Sequence, residues 1–212
     1  MKTNRDIKNA LYEQVARLAK SVASPKRLEL IELLCQAPKA VEVLAREANV
    51  SMKLASAHLK ELKAARLVET ERQGKNIIYR LASDDVARLW VQLRLLAEDR
   101  LFELQEAMHE LRATQYEWVG ESHDELLRKA KSGEVVVIDV RPNNEFEVGH
   151  LPYALSMPLS ELKDRLSQLP KDRAIVAYCR GPFCLMSADA VKLLRSEGFE
   201  ALQLRDGVAE WL

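Results

Sequence analysis

Residues 174–191 hold two of the chain's three cysteines, Cys179 and Cys184. The apolar, β-branched run from Ala174 to Tyr178 predicts a buried strand. Helical spacing begins near Cys184 and continues through Ala188, Val191 and Leu194 to Gly198, a C-cap glycine. Cys179 therefore opens a tight loop between a strand end and a helix N-terminus. Unpaired backbone N–H groups and the helix dipole stabilise a thiolate there. The same groups suit a sulfur anion such as a persulfide or thiosulfonate. Arg180, Gly181, Phe183 and Cys184 form the expected anion cradle, with Arg180 adding a positive charge and Pro182 removing one N–H. The plainer alternative is a structural cysteine at the end of a buried strand. Cys184 likewise reads either as a resolving thiol or as a small apolar residue at the helix start.

The elements that would position this loop are strands alternating with helices. Val135 to Asp139 and Ala201 to Leu204 read as further strands, and Ser160 to Leu166 as a helix. This alternation predicts an α/β domain with a mainly parallel sheet, whose ligands bind at strand C-terminal ends, where Cys179 falls. A capping pattern from Ser122 to Glu125 starts the domain. The chain has 212 residues, 48% hydrophobic and 30% charged, an ordinary globular composition. No stretch is apolar and long enough to cross a membrane, and the first residues lack the apolar core of a signal peptide. Three cysteines do not make a disulfide framework, so a reducing cytoplasmic setting is expected.

The front of the chain is different. Residues 1–80 carry 16 Lys+Arg against 9 Asp+Glu, a net of +7, although the whole chain is neutral. A basic segment on a neutral protein points to an anionic partner, with nucleic acid the first candidate. Ile7, Leu11, Val15 and Leu18 mark a first helix. Ser24-Pro25 opens a second, which carries Cys35. A short helix with Val41 and Leu44 follows, then the turn 49–51 and a helix from Met52 to Ala64, capped by Ser51 and burying Ala55, Leu59 and Leu62. This pair reads as a helix-turn-helix. Its second helix exposes Lys53, Ser56, Ala57 and Lys60, small and basic groups suited to a major groove. Two strands, 67–70 and 77–81, enclose a basic hairpin tip with Arg72, Lys75 and Asn76, placed as a phosphate-contacting wing. From Asp84 to Leu111, the positions Val86, Leu89, Trp90, Leu93, Leu96, Leu101, Leu104 and Ala107 form a long apolar stripe. A second copy of the chain would cover it economically.

Pro25-Lys26-Arg27-Leu28, the Ser51, Ser56, His58, Leu59 and Leu62 spacing, Leu67-Val68, and Gly74 with Tyr79 and Leu81 resemble the ArsR-type winged-helix repressors. That resemblance covers about residues 5–110 and implies a dimeric repressor that leaves its operator when an inducer binds. Arg66 stands where the family usually has a glycine before the wing. Residues 120–212 resemble a single rhodanese domain, through Ile138-Asp139-Val140-Arg141, Glu145-Phe146, Gly149-His150-Leu151-Pro152, the cysteine loop, and Asp206-Gly207 with Trp211. It implies that Cys179 carries sulfane sulfur as a persulfide, with Asp139, Arg141 and Trp211 structural. The loop is the shorter, sulfur-type form rather than the phosphatase form.

The expected architecture is two domains. A mainly α winged helix-turn-helix occupies 1–112, a linker 113–120, and an α/β rhodanese-like domain 121–212. The expected partners are a double-stranded DNA operator, a sulfane sulfur donor and a second copy of the chain, with no membrane and no cofactor. A repressor whose operator binding follows sulfur on Cys179 is the leading function, with Cys184 or Cys35 as possible sensing thiols. The alternatives are a thiosulfate or persulfide sulfurtransferase that uses its winged helix for dimerisation, and a metal- or metalloid-responsive repressor. The family's arsenic-type positions hold Ala40 and Glu42, and the last helix has only His109 for a zinc-type pair, so no metal site is expected.

Overall fold

The structure is a computed structural model that describes residues 2–112 and 122–211. The expected linker, 113–120, lies outside the described residues, as does the side chain of Leu111. The chain divides into two compact units, Met1–Trp90 and Val91–Leu212.

The first unit opens with α1 (Asn4–Val22), started by a capping box in which Thr3 Oγ1 accepts from Asp6 N and Asp6 accepts from Thr3 N. Its apolar stripe is left uncovered among the described residues: Ile7, Leu11 and Val15 are 50%, 64% and 68% exposed. Helix α2 (Pro25–Gln36) has Pro25 in its first turn, although the Ser24 side chain makes no capping bond. It buries Leu30, Ile31, Leu33 and Leu34. Strand β1 (Lys39–Ala40) leads into α3 (Val41–Glu47), the turn at Asn49 and α4 (Met52–Ala64). Ser51 caps α4 by accepting from Leu54 N at 3.2 Å, and α4 buries Ala55, Leu59 and Leu62, as its spacing predicts. Strands β2 (Val68–Gln73) and β3 (Asn76–Leu81) pair antiparallel, Gln73 opposite Asn76, so only Gly74 and Lys75 form the turn. The expected five-residue tip is thus mostly ladder, with Arg72 on a strand. β1 pairs with β3 on its other side, which two residues of sequence could not signal. Arg66 takes φ +61°, the left-handed conformation that glycine occupies at little cost. Hydrogen bonds from Arg66 N to Lys63 O and from Leu67 N to Leu62 O hold that helix end.

The apolar stripe after Asp84 predicts one helix, but two form: α5 (Asp84–Arg100) and α6 (Phe102–Arg112). The Gln105 side chain donates to Glu98 O at 2.8 Å, taking the carbonyl that a continuing helix would pair with the backbone N–H of residue 102. The unit boundary falls within α5.

The second unit continues with α7 (His123–Ser132), capped by Ser122, and β4 (Val135–Asp139). Helix α8 (Asn143–Val148), β5 (Leu155–Ser156) and α9 (Leu159–Leu162) follow. The expected helix at 160–166 is shorter in its α-helical part, because the chain tightens into a 3-10 turn over Lys163–Gln168. Then come β6 (Ala174–Tyr178), α10 (Met186–Ser196), β7 (Ala201–Gln203) and a 3-10 turn, Val208–Trp211. The four strands are all parallel, in the order β5-β4-β6-β7, the α/β fold that the alternation predicts. β6 lies between β4 and β7, and its side chains alternate between two cores. Ile175, Ala177 and Cys179 enter one, with Ile138, Leu162, Val191 and Leu194; Val176 and Tyr178 enter the other, with Leu126, Val137 and Leu151.

Candidate functional site

Cys179 continues the buried register of β6 by one residue and is only 2% exposed. The chain then turns, with Cys184 N donating to Gly181 O at 3.0 Å, so α10 starts at Met186 and not at the expected Cys184. Gly181 has φ +139°, in the region that side-chain-bearing residues avoid. The loop folds around the sulfur. Cys179 Sγ lies 3.5 Å from the carbonyl oxygen of Cys184 and 3.1 Å from Ser187 Oγ. Ser187 Oγ in turn accepts from Gln203 Nε2 at 2.9 Å, which leaves the serine proton free for the sulfur. Burial pushes the Cys179 thiol up, but hydrogen bonds from the Cys184 side chain, Ser187 and the Gly181 backbone prevail and bring it down to about 7. Cys184 moves the opposite way, because its thiol donates to Cys179 and is itself buried. Its sulfur faces the backbone N–H groups of Arg180 and Met186.

The Arg180 guanidinium is turned aside from the cradle. Its Nε and Nη2 donate to the buried Glu145 carboxylate at 3.0 and 2.5 Å. A second buried pair underlies the loop's approach. Arg141 forks onto Asp139, with Nη2 at 2.6 Å from Oδ2, and also donates to Gly149 O. Both side chains are fully buried, which fits the structural role expected of them. Tyr178 accepts from Leu151 N through its hydroxyl oxygen at 3.0 Å. Burial, with Asp139 nearby, pushes its hydroxyl well above the usual tyrosine range.

The far side of the loop is closed by the chain end. A Cβ on Gly207 would lie 2.5 Å from the Arg180 carbonyl carbon and 2.7 Å from Cys179 O, so only glycine fits there. Gly207 N donates to Glu210 Oε2, and Glu210 Oε1 accepts from Arg94 Nη2 of α5, both at 2.8 Å. Arg94 also pairs with Glu98 and lies over the Phe183 ring, 5.9 Å from its centroid. Burial pushes the Glu210 carboxyl up, against the pull of Arg94 and Gly207 N. Trp211 stacks on His123 at 3.9 Å, and His123 Nε2 pairs with Asp206 at 2.8 Å.

In the first unit, Lys53, Ala57 and Lys60 share one exposed side of α4, while Ser56 is half-buried and Ser51 is occupied as the cap. Arg72, Lys75 and Asn76 are exposed on the hairpin, with Arg72 Nε donating to Gly74 O. Cys35 is half-buried on α2. Among the described residues no group of three or more His, Cys, Asp or Glu is gathered for a metal ion, and no helix is long and apolar enough to cross a membrane.

Residues 24–70 match the family described as bacterial regulatory proteins of the arsR family, and residues 122–212 match the rhodanese-like domain. The HTH-type transcriptional regulator Rv0324 of Mycobacterium tuberculosis is 42% identical over 206 residues, covering 97% of this chain and 90% of that protein. The chain belongs to the ArsR family of helix-turn-helix regulators and carries a rhodanese domain. A sulfurtransferase of Allochromatium vinosum is 35% identical over 85 residues, covering 40% of this chain and 78% of that protein. The homodimeric winged helix-turn-helix DNA-binding domain Mb0332 of Mycobacterium bovis, a solved structure, is 40% identical. It covers 49% of this chain and 95% of that one, with a TM-score of 0.44.

Sequence reasoning missed Ser187, Gln203, Glu145, Glu210 and Arg94. Gln203, a polar residue in an otherwise apolar strand, was the available signal. Glu145 stood inside a recognised motif with no role assigned.

Proposed function

We propose that this ArsR-family regulator binds its operator as a homodimer and releases it when Cys179 carries sulfane sulfur. The domain of residues 1–112 would read DNA and pair with a second copy. Residues 113–120 would serve as the linker, and the rhodanese domain of 121–212 would carry the sulfur. The carrying observation is the Cys179 cradle: a buried sulfur held as a thiolate near neutral pH by four donors, on a chain that also has a helix-turn-helix. Thiolate is the form that attacks a sulfane sulfur. The cradle is poor in cations, because Arg180 is neutralised by Glu145. It therefore suits sulfane donors of lower charge, such as low-molecular-weight persulfides and organic polysulfides, better than the thiosulfate dianion. The exposed stripe of α1 supplies apolar surface for a dimer in the first unit, and Leu93 and Leu96 of α5 supply their own in the second.

Mass spectrometry of the full chain after treatment with a polysulfide should show one added sulfur on the peptide holding Cys179, and none there in Cys179→Ser. Labelling of Cys35 with none at Cys179 would contradict this reading.

A further inference from the structure

We propose that Cys184 is a resolving thiol that converts the Cys179 persulfide into a Cys179–Cys184 disulfide and releases sulfide. This rests on the reading that Cys179 takes up sulfane sulfur, and it adds a second chemical step to that site.

The loop has the form this step needs. The turn closed by Cys184 N and Gly181 O brings residue 184 back beside residue 179, with 3.5 Å between Cys179 Sγ and the Cys184 carbonyl oxygen. Cys184 packs against the same apolar cluster that contains Cys179. The remaining walls near the sulfur are the Ser187 hydroxyl and backbone N–H groups, neither of which is a competing nucleophile. Cys184 is half-buried where Cys179 is buried, so the second thiol stands nearer to solvent. In the resting state its S–H donates to the Cys179 thiolate, which places both a proton and a second nucleophile at the reacting sulfur. Two thiols carried on one tight turn and packed on one cluster react as an intramolecular pair, with an effective concentration far above that of external thiols.

The step balances without any outside oxidant. The Cys179 thiolate attacks the terminal sulfur of the polysulfide, and the S–S bond behind that sulfur breaks. The polysulfide shortened by one sulfur leaves with the electron pair, and Cys179 becomes a persulfide with an outer S–H. Cys184 then gives up its proton and its sulfur attacks Cys179 Sγ. The bond between Cys179 Sγ and the outer sulfur breaks, and that outer sulfur leaves with the electron pair. It takes the released proton and departs as hydrogen sulfide. The sum is one Cys179 persulfide plus one Cys184 thiol giving one Cys179–Cys184 disulfide plus one hydrogen sulfide. Counted as sulfane sulfur, the outer sulfur is reduced by two electrons, one drawn from each of the two cysteine sulfurs as they become the disulfide. The product has no thiolate, so the donors of Ser187 and Gly181 lose their anionic acceptor and the loop is left in a second chemical state. An external thiol is then needed to restore it.

Trypsin separates the two cysteines by cutting after Arg180, so the disulfide appears as a cross-linked peptide pair. The full chain, Cys184→Ser and Cys184→Ala are each given one equivalent of a polysulfide under argon, and sulfide is trapped as its bimane derivative. The wild type should yield the cross-linked pair and about one equivalent of sulfide per equivalent of sulfur taken up. Loss of the Cys184 donor slows uptake in both variants, but the sulfur they do take up should stay on Cys179, with at least tenfold less sulfide released per sulfur taken up. A wild type that keeps its persulfide as long as the variants do, with no cross-linked pair, overturns the step while leaving sulfur uptake intact. Absence of added sulfur on Cys179 in all three proteins, with no cross-linked pair in the wild type, overturns the sulfur-carrying reading, and this step with it.

Discussion

Ser187→Ala should raise the Cys179 pKa by about one to two units. Gln203 Nε2 donates to Ser187 Oγ at 2.9 Å, so the serine proton has Cys179 Sγ, 3.1 Å away, as its acceptor. A hydrogen bond to a charged group contributes about 1.5–3 kcal/mol, and one pKa unit corresponds to about 1.4 kcal/mol. With the thiol held at about 7 in the native protein, about half is thiolate at pH 7. The substitution should leave roughly 1–10%. The assay is the alkylation rate of the Cys179 peptide by iodoacetamide between pH 5 and 10, read by mass spectrometry. The rate at pH 7 should fall about 5- to 50-fold, while the plateau at high pH stays close to the native value. Gln203→Leu should shift the midpoint in the same direction by less, because the serine then loses its fixed orientation. An unmoved midpoint in Ser187→Ala would refute the reasoning, as would an equal loss of rate at every pH. The linkage sign follows from the same shift. A folded-state pKa below the ordinary thiol value means that Cys179 ionisation adds stability that is fully present above that ordinary value, and that stability is lost as pH falls through about 7.

Gly207→Ala should abolish sulfur uptake at Cys179, because its Cβ would press on the Arg180 and Cys179 backbone and force the loop to move; the peptide mass after polysulfide treatment reports this. Glu210→Ala should lower the stability of the rhodanese unit by about 1–3 kcal/mol, since it removes one of the two carboxylates on the buried Arg94 and the acceptor of Gly207 N; the urea midpoint followed by tryptophan fluorescence reads it. Lys53→Ala and Lys75→Ala should each weaken operator binding and reduce its salt slope by about one unit, measured by fluorescence anisotropy across a salt series. Arg66→Gly should raise the stability of the winged-helix unit by about 0.5–1 kcal/mol, through relief of the left-handed backbone, as read from its urea midpoint.

Much of the fold was legible because local periodicity and tertiary burial agree. α4 buries the three residues that its spacing predicts. β4 and β6 occupy their expected ranges, since a fully buried parallel strand has to be a continuous apolar run. Other features depended on contacts that no local pattern carries. β1 exists only through its pairing with β3. The break at residue 101 depends on one glutamine side chain reaching back to Glu98 O. The Cys179 loop was readable as a thiolate site, from a cysteine between a strand and a helix. Its supporting set was not readable, because Ser187, Gln203, Glu145 and Glu210 meet the loop from separate segments. Arg180 shows the limit most clearly. Its charge next to the cysteine in sequence pointed to the anion, yet Glu145, 35 residues away, takes it.

The central claim is that sulfur on Cys179 governs operator affinity. The most direct test is the dissociation constant for the operator, measured at one fixed salt concentration for the wild type and for Cys179→Ser, each with and without a polysulfide. A coupling of about 1–3 kcal/mol corresponds to roughly a 5- to 150-fold change. The wild type should lose affinity within that range on treatment, and Cys179→Ser should bind equally well in both conditions. Equal loss of affinity in Cys179→Ser, or no loss in a wild type shown to carry the added sulfur, would contradict the account.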